Sequence, residues 1–415
     1  MNNQNNPNPS PILIAGAGIG GLAAALACSR AQPSRTIQVW ERAPELTEVG
    51  AGIQLGPNAT RILQRWGLES ALRKVATFPE KLSIHSAQDD AELGQLRLGD
   101  HAIQKYGSPY AAIHRADMQQ ILLSAVQDRA NVELHLGHGI QSFDDDGKAV
   151  TLKMENGTQA HGAALIGADG IWSVIRTQLL QDGKPRFPGY LAYRNLIAQS
   201  ALPATLRSQH VTVWMGTNLH VVQYPVRGGE YLNVVAILHG SVPAGWNNLA
   251  NWDNANSSVY ATQLQDAYRS CCPRLREQLA ACSSVGRWRL WALADRPPMQ
   301  GAHQHARGRV ALLGDAAHPM RPYMAQGAGM ALEDAACLET ILTQAGDTMG
   351  ATPTSVQELL EAFAIQRWRR NARVQARSIR NGELFHAQGF MRWGRDWGMK
   401  LLGEKVLDVP WLYRA

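Results

Sequence analysis

Cysteine is sparse and unpatterned: five in 415 residues (Cys28, Cys271, Cys272, Cys282 and Cys337), an odd number with neither a CxxC pair nor metal-ligand spacing. That excludes a disulfide framework and points to a reducing compartment, with the thiols serving as small buried apolar groups. No apolar run free of glycine and charge is long enough to cross a bilayer. The opening residues, MNNQNNPNPS, lack both the basic start and the apolar stretch of a secretion signal. A cytoplasmic protein with a loose N-terminal tail and no integral membrane segment is expected. Repeats and low-complexity stretches are missing as well. The net charge is +6, but the basic residues are scattered until the C-terminal region, so nucleic acid is not an expected partner. The surplus suits a small anionic substrate. With 45% hydrophobic and 18% charged residues, the composition is that of a globular chain with room for two or more domains.

What is present is concentrated first in residues 11–42. Ile12-Leu13-Ile14-Ala15 runs into Gly16-Ala17-Gly18-Ile19-Gly20-Gly21, followed by Ala/Leu-rich residues at helical spacing and a second strand-like run ending on Glu41. Strand, GxGxxG, helix, strand and terminal acid make a dinucleotide fingerprint. Gly16 permits the tight turn, Gly18 lets backbone approach a pyrophosphate, and Gly21 lets the helix pack close to the strand. The phosphates then sit at the positive end of the helix. Glu41 falls 20 residues after Gly21, where its carboxylate accepts from ribose hydroxyls.

Further along, residues 50–58 form a glycine-rich loop around Gln54, of a kind that lets backbone lie against something flat, ahead of a helix over 59–66. Residues 76–110 alternate in short runs between Asp/Gly turns and suggest a detour into a second sheet. A helix over about 115–126 carries Arg115 at its start, where a cation calls for an anionic partner such as a phosphate. Strands are expected at 132–136, 147–154 and 163–166, the last running into Gly167-Ala168-Asp169-Gly170-Ile171-Trp172-Ser173-Val174-Ile175-Arg176. From 189 to 293 strand patterns dominate (211–215, 220–225, 231–238, 287–293), which predicts an antiparallel sheet with one face on a pocket. His220 and Tyr224, four apart in one strand, share a face. A buried strand at 309–313 enters Gly314-Asp315-Ala316-Ala317-His318-Pro319, and the small residues after Gln326 begin a helix with uncovered N-terminal amides. From Ser355 the chain reads as helix rich in arginine (Arg367, Arg369, Arg370, Arg373, Arg377, Arg380), most simply a solvated face. No serine nucleophile, metal cluster or carboxylate pair stands out, so no metal site is expected.

The three motifs at 16–21, 167–176 and 314–319, in that order, resemble the class A flavoprotein monooxygenases, the FAD-dependent aromatic hydroxylases related to para-hydroxybenzoate and salicylate hydroxylase. The resemblance covers nearly the whole chain. It implies an α/β fold: a Rossmann-like FAD-binding domain (10–75, 101–180 and 298–345), an antiparallel β-sheet substrate domain like that of para-hydroxybenzoate hydroxylase (76–100 and 181–297), and a C-terminal helical segment (346–415). The implied cofactor is noncovalent FAD, with NADH or NADPH as electron donor and O2 as co-substrate.

Residue by residue, the resemblance implies that Gly16, Gly18 and Gly21 hold the pyrophosphate, with Glu41 on the ribose and Arg42 beside the adenosine. Gln54 belongs to the loop against the cofactor, Arg115 would contact phosphate and ribityl, and Asp315 the ribityl chain. Asp169 and Arg176 lie in the run that serves both FAD and the nicotinamide donor. Amides of Gly327, Ala328 and Gly329 would face the flavin pyrimidine edge, where a helix N-terminus stabilises the charge of the reduced ring.

Within the family the look is closest to the 3-hydroxybenzoate 6-hydroxylases, with the 6-hydroxynicotinate and salicylate hydroxylases near. Residues 50–58, His114-Arg115-Ala116-Asp117 and the strand from His220 to Tyr224 carry this. His220 and Tyr224 would be the catalytic pair that binds and deprotonates a phenol. Pro322 departs from the glutamine expected in the 3-hydroxybenzoate group and leaves the ring substituents open. The implied activity is hydroxylation of a small phenolic aromatic acid through a flavin C4a-hydroperoxide, by a monomer or homodimer. Two other functions fit the same fold: a flavin-dependent reductase or dehydrogenase without oxygen insertion, and a non-catalytic FAD-binding regulator.

Overall fold

Four apolar residues buried on both faces form β1 (Ile12–Ala15), and the turn after them opens α1 (Ile19–Ala31) before β2 (Ile37–Glu41) returns alongside. This computed structural model describes residues 9–47, 51–241, 258–346 and 355–414. Most of the expected tail, residues 1–8, and Gly50 of the glycine-rich loop lie outside the described residues. β3 (Gly52–Leu55), α2 (Pro57–Arg65) and α3 (Glu69–Val75) follow, and the chain crosses away through β4 (Lys81–Ser86) and β5 (Glu92–Arg97). It comes back by α4 (Gly99–Tyr106), β6 (Ala111–His114), α5 (Arg115–Gln127) and β7 (Val132–Leu136). A meander of β8 (Ile140–Asp145), β9 (Val150–Met154) and β10 (Gln159–Gly162) leads to β11 (Ala164–Gly167) and α6 (Val174–Leu180).

The second crossing is longer: β12 (Tyr190–Ala198), β13 (Val211–Met215), β14 (Leu219–Val226), β15 (Tyr231–His239), α7 (Ser258–Tyr268), α8 (Pro273–Val285) and β16 (Arg289–Ala292). The chain then returns through β17 (Ala306–Arg307), β18 (Val310–Leu312) and α9 (Gly327–Ala345), and ends in α10 (Val356–Phe385), α11 (Gly389–Leu402), α12 (Glu404–Leu407) and α13 (Pro410–Tyr413).

Two large sheets result. One has the order β17-β18-β11-β1-β2-β7, parallel except for β17, and its central strands are continuous apolar runs because α1, α5 and α9 cover one face and the β8–β10 meander with α6 covers the other. α1 is buried nearly all round and packs its alanines against α9. The other has the order β16-β12-β15-β14-β13-β4-β5, antiparallel except for the parallel pair β4 and β13. The smaller pair β3 and β6 stands between them: the Gly52 amide donates to Asn233 Oδ1 (2.7 Å) and the Tyr224 hydroxyl donates to the Gly52 carbonyl (2.5 Å).

Two expectations need correction. Residues 258–285 fall in a region expected to be dominated by strands, but form α7 and α8, which cover the outer face of the seven-stranded sheet. Pro273 at the first turn and the buried spacing Leu275, Gln278, Leu279, Cys282 are helical signals. The arginines of α10 are not simply a solvated face. Arg367 is buried against Glu333 (3.0 Å) and Asp334 (2.8 Å) of α9, and Arg370 holds Glu333 at 2.6 Å, because two acids on a packed helix demand cations from its neighbour. Ser355 and Glu358 close a capping box at the start of α10. Among the described residues no helix is long and apolar enough to cross a membrane.

Candidate active site

Between the two sheets lies a cavity of about 1220 Å³. Gly16, Gly18, Glu41, Arg42, Gln54, Arg115, Asp169, Asp315, Gly327, Ala328, His220 and Tyr224 all line it. Gly21, Gly329 and Arg176 do not, and each has a different reason.

The end of the cavity at the glycine turn is built by backbone. Gly16 has φ +98°, and a Cβ there would come within 2.6 Å of the Ala168 carbonyl oxygen. A Cβ on Gly18 would meet nothing within 4 Å, since that face opens into the cavity. On Gly21 it would lie 1.9 Å from the Gly16 carbonyl oxygen, so this glycine works by letting α1 pack on the turn. α1 begins with no side-chain cap and no acid in its first turn, which leaves its amides for an anion. Glu41 accepts from the backbone amides of Ala17 (2.8 Å) and Ala43 (2.9 Å), fixing the glycine turn to the end of β2. Its carboxylate has about four lone-pair sites in all, so ribose hydroxyls remain within its capacity.

At the next junction Asp169 accepts from Val174 (2.7 Å) and Ile175 (3.2 Å) and so starts α6, while its other oxygen is buried with no partner among the described residues. Burial pushes its carboxyl up despite those bonds. Arg176 faces inward instead: it pairs with Asp182 (2.6 Å) and donates to the carbonyls of Ala316 and Ala317, bracing the turn that carries Asp315. Sequence spacing alone does not distinguish an arginine that reaches a ligand from one that holds the loop behind it. Gly327 and Ala328 begin α9, another helix whose first turn has no side-chain cap and no acid. Gly329 sits one step back, against the Gln326 and Asn58 side chains.

The seven-stranded sheet supplies the other wall. His220, Val222 and Tyr224 alternate along β14 and all reach the cavity. Tyr224 is 4% exposed, and burial pushes its phenol up, so the hydroxyl is a neutral donor. The Tyr110 hydroxyl donates to Gln54 Oε1 at 2.8 Å beside it. His220 Nδ1 meets Nε2 of His386 at 2.9 Å, which leaves His220 Nε2 as the ring nitrogen for a ligand. Burial, with His386 beside it, holds His220 well below the usual imidazole range.

Three further residues were not singled out from sequence. Arg194 on β12 lies over the Trp291 ring at 4.8 Å, its Nε buried without a hydrogen-bond partner among the described residues. Its only sequence signal is one cation inside an apolar strand. Tyr323 and His386 join the site from the loop before α9 and the end of α10, and no local pattern foretells that meeting.

His305, His318 and Asp334 lie close enough together to suggest a cation site, but Asp334 already binds His318 Nε2 at 2.5 Å and Arg367 at 2.8 Å. Burial works against the Asp334 charge, and His318 and Arg367 more than overcome it, holding its carboxyl far below the usual range. A metal ion would have to compete with a buried guanidinium.

A family model described as an FAD binding domain matches residues 10–378. The chain is 37% identical over 410 residues to a 3-hydroxybenzoate 6-hydroxylase of Polaromonas naphthalenivorans strain CJ2, covering 98% of this chain and 96% of the relative. It is 32% identical over 335 residues to a 6-hydroxynicotinate 3-monooxygenase of Bordetella bronchiseptica, covering 81% and 83%. A solved salicylate hydroxylase in complex with substrate superimposes with a TM-score of 0.79 at 25% identity, over 98% of this chain and 96% of that one.

Proposed function

The chain belongs to the FAD-binding-domain family of flavoprotein monooxygenases, and on that premise we propose that its substrate is a small phenolic aromatic acid, hydroxylated with NAD(P)H and O2. It is an FAD-dependent monooxygenase. The cavity suits the cofactor: the open face of Gly18, the uncapped start of α1 and the acid at the end of β2 converge on it. Its volume, about 1220 Å³, exceeds the ~300–1,000 Å³ of a usual small-ligand pocket, leaving room for a ring substrate besides a dinucleotide. Gly16 and Gly18 would hold the pyrophosphate, with Arg42, Arg115 and Asp315 along the molecule. When bound, FAD supplies electron transfer from the nicotinamide and oxygen transfer to the ring.

The chain's own part is to hold the ring, keep water out and take a proton. A phenol titrates near 10, and removing its proton raises ring electron density. His220 Nε2 would accept that proton, while the Tyr224 hydroxyl, whose own hydrogen goes to the Gly52 carbonyl, has only a lone pair left to accept from a donor on the ligand. Such general-base help contributes roughly 10²–10⁴-fold. Arg194, a half-buried cation on the same wall, suits the carboxylate. The observation that carries this reading is His220 and Tyr224 on the same cavity-lining face of β14, with Val222 between them.

The deciding experiment supplies purified enzyme with NADH and labelled O2 over hydroxybenzoates and hydroxypyridine carboxylates, with mass analysis of products. Substrate-stimulated NADH consumption with one labelled oxygen in the product is expected. NADH consumption with no oxygen inserted into any acid makes the protein a reductase or dehydrogenase instead.

A further inference from the structure

Pro322 sets the backbone before it: a residue that precedes proline is driven out of the helical region, and Arg321 is extended at φ −66° and ψ 153°. Ser378 of α10 donates to its carbonyl. From behind the cavity wall Asp295, 1% exposed, accepts from Arg321 Nε at 2.7 Å. The guanidinium is thereby fixed at its inner nitrogen, while Nη1 and Nη2 have no hydrogen-bond partner among the described residues and the side chain lines the cavity. We propose that Arg321 is the anchor for the substrate's carboxylate, a planar fork held ready for a planar pair of oxygens. This rests on the reading above that the substrate is a small aromatic acid, and names which of the cavity's cations takes the acid group.

The charges around Asp295 call for an anion on the cavity side. A short antiparallel bridge between Arg186 and Asp295, with backbone amides donating both ways at 2.8 and 2.9 Å, holds the acid in place. Arg186 pairs with its Oδ1 at 3.0 Å and Arg321 with its Oδ2. Two guanidinia thus share one carboxylate, and one positive charge is left over. The Arg186 side chain is 52% exposed and meets water, whereas that of Arg321 is 12% exposed. A guanidinium bonded only at Nε keeps its other N–H donors uncommitted, and desolvating them without an acceptor is costly. The Tyr190 ring, 5.8 Å from the guanidinium carbon, adds a cation–π contact to the flat face and leaves the N–H edge open.

Position separates Arg321 from Arg194. On the sheet Ala192, Ile237 and His220 stand in one row across three strands, and Arg194, Val235 and Val222 in the next. Burial lowers Arg194 from the usual guanidinium range and the charge of Arg115 adds to that, so Arg194 belongs to the end of the cavity where Arg115 would meet the cofactor. Arg321 belongs with His220. Tyr323, two residues further along its loop, has its ring 5.0 Å from that of His220 and 6.4 Å from that of Tyr190. A substrate whose hydroxyl reaches His220 Nε2 can therefore set its carboxylate on Arg321, with the Tyr323 ring as the wall between them. A neutral ring in the same place leaves the fork unpaired, so the anchor also selects acids.

The test uses FAD-loaded full-length protein without NADH and reads ligand binding by the perturbation of the flavin absorbance. Three pairs of probes differ only in the acid group: 3-hydroxybenzoate and 3-hydroxybenzamide, 6-hydroxynicotinate and 6-hydroxynicotinamide, salicylate and salicylamide. The wild type is expected to bind the acid of at least one pair roughly tenfold to a hundredfold more tightly than its amide. Arg321→Met should remove that preference by weakening the acid alone. The variant leaves Arg186 opposite Asp295, and an unmoved amide constant shows that the cavity has kept its shape. An acid preference undiminished in Arg321→Met, above all one that Arg194→Met abolishes, overturns the anchor. Equal weakening of acid and amide in Arg321→Met overturns it as well, since it marks a structural role. A wild type that binds none of the three acids, or that binds acid and amide alike, removes the reading on which the anchor stands.

Discussion

Gly18 and Gly21 are three residues apart in one motif, yet an added methyl does opposite things to them. At Gly18 the Cβ points into open space, so Gly18→Ala should fold with an unchanged melting temperature as apoprotein and lose bound FAD, read as the yellow absorbance per mole of chain. At Gly21 it collides with the Gly16 carbonyl, so Gly21→Ala should cost about 1–3 kcal/mol of stability by denaturant titration, whatever the cofactor does. Tyr224→Phe leaves the buried Gly52 carbonyl without its donor, a loss of about 1–3 kcal/mol. The variant should retain FAD and substrate-stimulated NADH oxidation, with the product-to-NADH ratio falling and hydrogen peroxide rising. An unchanged ratio takes Tyr224 out of the mechanism. Residues such as Gly16 and Gly18 were legible because their role is backbone geometry that spacing encodes. Arg176 was legible as a member of its run but not in its direction, since whether a guanidinium faces a ligand or the Asp182 carboxylate is decided by chain 6 residues on.

At the scale of elements, the seam between α9 and α10 concentrates buried charge: Glu333 and Asp334 against Arg367 and Arg370. Removing one member leaves the others unpaired, so Arg367→Met should destabilise by about 3–5 kcal/mol at pH 7. Asp334 is held below its unfolded value near 3.9, so its contribution is present above that pH and is lost as pH falls below it, where the unfolded chain takes up the proton. Thermal midpoints of the wild type should therefore drop below about pH 4, and Arg367→Met should show a shallower drop; equal slopes would place the acid sensitivity elsewhere. The parallel strands were legible as continuous apolar runs, and β7 and β13 as single stretches of strand formers. α7 and α8 were not, because strong strand patterns on both sides of residues 258–285 drew the reading across them. The Pro273 start and the spacing down to Cys282 held the contrary signal. The burial of Arg367 was out of reach for another reason: its partners lie on α9, and nothing on its own helix marks it apart from Arg369 or Arg373.

For the whole molecule, the chain visits the seven-stranded sheet twice, by β4 and β5 and again by β12 to β16, and threads back between. The motifs made both visits foreseeable, since the glycine turn, Asp169 and Asp315 belong together and everything between them must detour. What motifs could not supply was the meeting of β14 with the end of α10, which closes the site from the far end of the chain. The uncapped start of α9 has an electrochemical consequence. A positive helix end with no acid in its first turn favours an electron-rich ring against it, so a flavin whose pyrimidine edge lies there has its midpoint potential raised and takes up hydride more readily. Ala328→Asp puts a carboxylate into that turn, and in a spectroelectrochemical titration the bound flavin should become harder to reduce; an unmoved potential would mean that α9 points its field at some other part of the cofactor.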